Sequence, residues 1–148
     1  MFFAHFRPAA ACLLAATTLF GCVAIPEETW TNLGPSNLVT EAGRIVCYTD
    51  ANIIDGKRVV GTLCATPRSG FLSDGEPQVL AGANYRQPFR IDLSKATKGE
   101  QLPFGDKTGL LECEPDEADG EKSIPVKFCK VTINGQALVS AKITFAYK

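Results

Sequence analysis

The apolar positions of this chain repeat with the period of strands almost throughout. At the C-terminus Ala137, Val139, Ala141, Ile143, Phe145 and Tyr147 alternate with Leu138, Ser140, Lys142, Thr144, Ala146 and Lys148. One face of that stretch is apolar or aromatic and the other mostly polar, as in a half-buried strand of an antiparallel sheet. It follows residues 123–133 (SIPVKFCKVTI) across Asn134-Gly135, the strongest short hairpin signal. Upstream, residues 44–50 (RIVCYTD) and 58–66 (RVVGTLCAT) are rich in β-branched residues and flank the turn signal Asp55-Gly56. Residues 78–81, 89–93 and 110–114 predict three further short strands, the second with Phe89, Ile91 and Leu93 on one face. Residues 67–75 read as a loop, and 95–109, with three glycines and a proline, as room for a helical turn at most. Seven or eight short strands predict an all-β domain, a small disulfide-stapled antiparallel β-sandwich of immunoglobulin-like or transthyretin-like type. A small β-barrel is the alternative.

The N-terminus departs from this pattern. Arg7 precedes thirteen residues without a charge, Pro8 to Phe20, too few to cross a bilayer but enough for the apolar region of an export signal. The run ends in Leu19-Phe20-Gly21-Cys22. That motif resembles the lipobox of bacterial lipoproteins, although Phe20 is bulkier than the usual residue there. The resemblance implies removal of residues 1–21 and attachment of two or three acyl chains to the thiol of Cys22, enough for stable anchoring. Val23, where an aspartate would signal retention in the inner membrane, implies the outer membrane, with the domain on its periplasmic face or at the cell surface. Residues 22–43, with two prolines and two glycines, are expected to be a flexible tether, and 44–148 a single β domain. Fully extended, such a tether would hold the domain some 60 Å out.

Composition then narrows the chemistry. With 15 basic and 16 acidic residues the net charge is −1, which argues against a nucleic-acid partner. The only histidine, His5, lies in the leader, so the exported chain has no Ser-His-Asp or Cys-His system and no histidine-ligated zinc. No Gly-x-Ser-x-Gly or Ser-x-x-Lys motif occurs. An enzyme is therefore not expected, nor any cofactor beyond the covalent lipid. Once Cys22 carries lipid and Cys12 is removed, Cys47, Cys64, Cys113 and Cys129 remain. An even number in an exported chain predicts two disulfides. The spacings of 17 and 16 residues favour Cys47–Cys64 and Cys113–Cys129, each worth about 3 kcal/mol in the chain-entropy model, with the crossed pairings open.

Three features are candidates for contact with a partner. Glu112, Glu114, Asp116, Glu117, Asp119 and Glu121 crowd ten residues (ECEPDEADGE), read either as a solvated hairpin loop or as a surface for a basic partner. Lys122, Lys127 and Lys130 lie beyond them and offer partial neutralisation. Their spacing does not match the twelve-residue calcium loop, so no metal site is expected. Tyr85, Arg86, Phe89 and Arg90 combine aromatic and guanidinium groups, as binding hot spots and edge strands both do. Trp30, the only tryptophan, is expected to dock on the domain, lie at the lipid interface or anchor a partner. These readings converge on a lipid-anchored envelope protein that binds a protein partner, as adaptor or assembly factor of an envelope or secretion complex. The alternative is a protective lipoprotein that blocks a periplasmic enzyme, a toxin, or a phage or conjugation receptor. A ligand carrier is a third reading and predicts a dry internal pocket.

Overall fold

A computed structural model describes residues 29–67, 75–84, 89–116 and 126–146. Among the described residues, nine strands and one short helix follow one another as β1 (Ser36–Thr40), β2 (Val46–Ile54), β3 (Lys57–Thr66), β4 (Gln78–Ala83), β5 (Phe89–Asp92), α1 (Leu93–Ala96), β6 (Glu100–Phe104), β7 (Lys107–Pro115), β8 (Val126–Ile133) and β9 (Gln136–Phe145). They form two open sheets packed face to face, ordered β1-β9-β8-β7-β6 and β2-β3-β4-β5. The expected sandwich is thus the architecture, and the barrel alternative is excluded because neither sheet closes on itself. Every pairing is antiparallel except that of β1 with β9.

Local chemistry accounts for the turns. Asp55-Gly56 and Asn134-Gly135 are two-residue loops in which both residues have positive φ, 52° and 74° in the first and 51° and 75° in the second. That is the type I′ geometry whose twist matches the flanking strands. A third two-residue loop, Gly105-Asp106, joins β6 to β7. The three turns meet at one end of the sandwich. There Asp55 Oδ2 accepts hydrogen bonds from Lys107 Nζ at 2.6 Å and Asn134 Nδ2 at 3.0 Å. Lys107 holds the Asp55 carboxyl below the ordinary value, chiefly through that hydrogen bond, and Asp55 raises the lysine in return. We call this the turn end. β7 finishes and β8 begins at the opposite end.

The core is made by Leu111, Val131, Ile133, Ile143 and Phe145 from the five-stranded sheet and by Ile54, Leu63, Ala65, Val79 and Ala81 from the other. Both preferred disulfides are present, each joining directly opposed residues of neighbouring strands, Cys47–Cys64 across β2 and β3 and Cys113–Cys129 across β7 and β8. Each sheet carries one, and their settings differ. Cys113 and Cys129 are buried in the core between the sheets. Cys64 is buried outside that cluster, and Cys47 is exposed.

Four expectations are corrected. The domain begins before residue 44, because residues 36–40 form β1 and bond β9. Their pairing partner lies about a hundred residues away, so no local periodicity announces the strand. Residues 95–109 hold more than a helical turn, since β6 occupies 100–104. Pro103 is tolerated in it because β6 is an edge strand, where a missing N–H can face away from the ladder. β2 begins at Val46 and runs on to Ile54, so the strand expected at 44–50 lies later in the chain. Finally, Leu138 does not face solvent. A bulge in β9 leaves it without a cross-strand partner and turns both Leu138 and Val139 into the core, while Ala137 is exposed. From Val139 onward the alternation holds as far as Phe145, and Tyr147 lies outside the described residues.

Candidate partner-facing surfaces

The acidic residues split. Leu111 and Cys113 belong to the core, so Glu112 and Glu114 point outward from the five-stranded sheet. Lys130, directly opposite Glu112 on β8, bridges Glu114 at 3.0 Å and Glu112 at 3.8 Å. The Glu114 hydrogen bond raises the lysine above its ordinary value, with the Glu112 charge adding less. Asp116 pairs with Lys142 on β9. This part of the acidic run is therefore a ladder of cross-strand ion pairs, which lowers its charge toward a basic partner. Glu117, Asp119 and Glu121 lie outside the described residues.

The arginine-aromatic candidate sits on another face. β5 is the edge of the four-stranded sheet, and Arg90 lies opposite Leu80, outside the core cluster. Arg90 Nη1 reaches Gln78 Oε1 at 3.4 Å, and Phe89 is 46% exposed. Tyr85 and Arg86 lie outside the described residues. Glu112 and Glu114 face outward from one sheet and Arg90 from the other, so the two candidates do not form one site.

Trp30 belongs to a segment expected from its composition to be tether. Residues 30–34 run antiparallel along the free edge of β2 as a strap, then continue into β1. Asn32 N donates to Ala51 O at 2.8 Å, and Tyr48 Oη donates to Gly34 O at 2.7 Å. Asp50, buried on the inward face of β2, accepts from the backbone N–H groups of Leu33 at 3.1 Å, Gly34 at 3.2 Å and Ala51 at 2.7 Å. A carboxylate with three backbone donors is a strong local clamp. Burial, and secondarily the Asp50 charge, raises the Tyr48 phenol above its ordinary value. The Arg58 guanidinium stacks 4.6 Å from the centroid of the Trp30 ring, and its Nε and Nη2 both donate to Trp30 O at 3.2 Å. Of the readings for Trp30, docking on the domain describes what the strap does.

Neither Asp50 nor Arg58 stood out in the sequence. The signal for Asp50 is an acid at an inward position of an apolar strand, and that becomes visible only once the strand's facing is known. Between the strap and β9 lies a cleft of about 180 Å³, walled by Asn32, Pro35, Asp50, Leu138 and Val139 among others. It is smaller than the roughly 300 Å³ at which small-molecule pockets begin. Among the described residues no group of three or more His, Cys, Asp and Glu side chains is placed to hold a metal ion. Comparison with protein-family models, curated proteins and solved structures finds no match to this chain.

Proposed function

We propose that this chain is a non-enzymatic protein of the bacterial cell envelope, anchored through lipid on Cys22 at the periplasmic face of the outer membrane. It binds a protein partner there, as adaptor or assembly factor of an envelope or secretion complex. The observation that carries this reading is the pair of disulfides Cys47–Cys64 and Cys113–Cys129 in a chain whose first residues resemble a lipoprotein leader. Disulfides form and persist in oxidising compartments, which is where such a leader delivers a chain. Local confinement by the lipid raises effective concentration toward other membrane-bound proteins, so a modest surface suffices for useful affinity. The proposed partner surface is the end of the sandwich opposite the turns, where Glu114 and Asp116 form ion pairs with Lys130 and Lys142.

Crosslinking in intact cells followed by purification of the acylated protein tests this reading. Recovery of structural envelope proteins, lost when Glu114 and Asp116 are changed to lysine, is the expected result. A single hydrolase or toxin as the dominant partner would move the assignment to the protective reading. Turnover of cell-wall or glycan substrates by the purified protein would overturn both.

A further inference from the structure

The strap changes where an anchor would hold this domain. Residues 30–34 are bonded to β2, so Cys22 stands only eight positions before Trp30, where the strap begins. At about 3.3–3.6 Å per residue the lipidated cysteine therefore lies no more than about 29 Å from the start of the strap. That start is at the turn end, since Trp30 is held by Arg58, three positions after the Asp55-Gly56 turn begins. The 60 Å reach of a free tether is not available to this chain.

The surface there has the chemistry of a membrane interface. Trp30 lies half-buried over Arg58, Ile53 stands directly opposite Arg58 and is 50% exposed, and Leu33 on the strap is 61% exposed. Lys57, which precedes Arg58 and lies on the other face of β3, is exposed at the turn end and adds a second cation there. Tryptophan, aliphatic and basic side chains together suit the headgroup layer, where the indole sits at the apolar boundary and cations meet lipid phosphates.

We infer that the Trp30, Leu33, Ile53 and Arg58 surface rests on the headgroups of a bilayer containing anionic phospholipid, with the turn end toward the membrane. This rests on the lipid anchor proposed above. Trp30 is the only tryptophan, so its emission reports the contact directly.

The acylated protein is reconstituted into phosphatidylethanolamine–phosphatidylglycerol vesicles, with and without phospholipid brominated near the top of the acyl chain. The mass of its N-terminal peptide reads acylation of Cys22. The expected result is acylated Cys22, loss of Trp30 emission with brominated lipid, and shielding of Trp30 from aqueous iodide. A W30F/K98W variant, which moves the reporter to exposed Lys98 beyond α1, keeps its emission. Acylated protein whose Trp30 is quenched by iodide and not by brominated lipid overturns the orientation while leaving the anchor intact. Equal lipid quenching at positions 30 and 98 also overturns it. A Cys22 without acyl chains overturns the anchor, and the orientation with it.

Discussion

Replacing Gly61 with alanine is expected to loosen the seam between the two sheets. Gly61 lies on β3, and a Cβ built there would fall 2.6 Å from Leu138 Cδ2, 2.7 Å from Leu138 Cγ and 3.1 Å from Val139 Cγ1. Carbon atoms prefer about 3.5–4.0 Å, so the new methyl intrudes by almost an ångström on Leu138. Leu138 has little room to retreat, being 2% exposed and the unpartnered residue of the β9 bulge. Overpacking of this kind costs about 1–3 kcal/mol. Alanine also restricts the unfolded chain, which offsets about 0.4–1 kcal/mol of that. The net expectation is a loss of about 1–2 kcal/mol, which lowers Tm by about 4–8 °C per kcal/mol in a domain of this size. Urea unfolding with both disulfides intact, followed by far-UV circular dichroism, should show a lower midpoint at an unchanged slope. Leu138→Ala removes the two nearest atoms the methyl meets, leaving Val139 Cγ1 at 3.1 Å, and alone costs about 2–5 kcal/mol, so in that background Gly61→Ala should cost less. A Gly61→Ala midpoint equal to or above that of the parent, or strict additivity in the double variant, would refute the interlock.

The remaining predictions concern the disulfides, the turn end and the strap. Under native conditions with limiting dithiothreitol, alkylation and peptide mapping should find Cys47–Cys64 reduced before Cys113–Cys129, because Cys47 is exposed while Cys113 and Cys129 are in the core; labelling in the reverse order would contradict the placement. Asp55→Asn should lower Tm slightly at neutral pH. The parent's advantage is present above about pH 4 and fades as pH falls through the lowered Asp55 value, and it is lost again when pH rises through the raised Lys107 value. A difference in Tm that does not shrink in acid would count against the Asp55–Lys107 pair. Asp50→Ala leaves the part-buried Leu33 and Gly34 amides without their acceptor, at the low end of the about 1–3 kcal/mol that fully buried donors cost. Amide hydrogen exchange should accelerate at residues 32–34 more than in β7 or β8, and uniform acceleration would argue that Asp50 serves the whole core instead of the strap.

The parts of this fold that could be read in the sequence are those with local causes. Asn134-Gly135 and Asp55-Gly56 need only their own backbone preferences, and the alternation from Val139 to Phe145 needs only one buried face. The disulfide pairs followed for the same reason, since short spacings join neighbouring strands. What escaped depends on distant partners. β1 is extended because β9 accepts it, and Leu138 is buried because a one-residue bulge resets the facing of β9 against β8. β6 was hidden by Pro103, whose acceptability depends on the strand's place at a sheet edge. Among the candidate site residues, Glu112, Glu114 and Arg90 face outward, and Lys130 is one of the lysines expected to neutralise the acids, whereas Lys142 as the partner of Asp116 follows only from cross-strand placement.

The two disulfides, for all their contribution, do not hold the sandwich together. Each lies within one sheet and closes a loop of 16 or 17 residues, so it limits the freedom of a single unfolded hairpin and leaves the two sheets free to part. Cohesion between sheets falls to the apolar core and to a few polar ties: Asn52 Nδ2 to Ala137 O, Lys107 and Asn134 to Asp55, and the strap. The strap differs from the others in spanning both sheets with backbone, bonding β2 through Asn32 and Asp50 and then β9 through β1. Detaching it would uncover the edge of β2 and remove the parallel neighbour of β9 in one step. On the proposed anchoring, a pull from the membrane enters the protein at this strap. The Trp30–Arg58 stack and the Asp50 clamp then stand between the lipid and the seam, and they must fail before β1 is loaded.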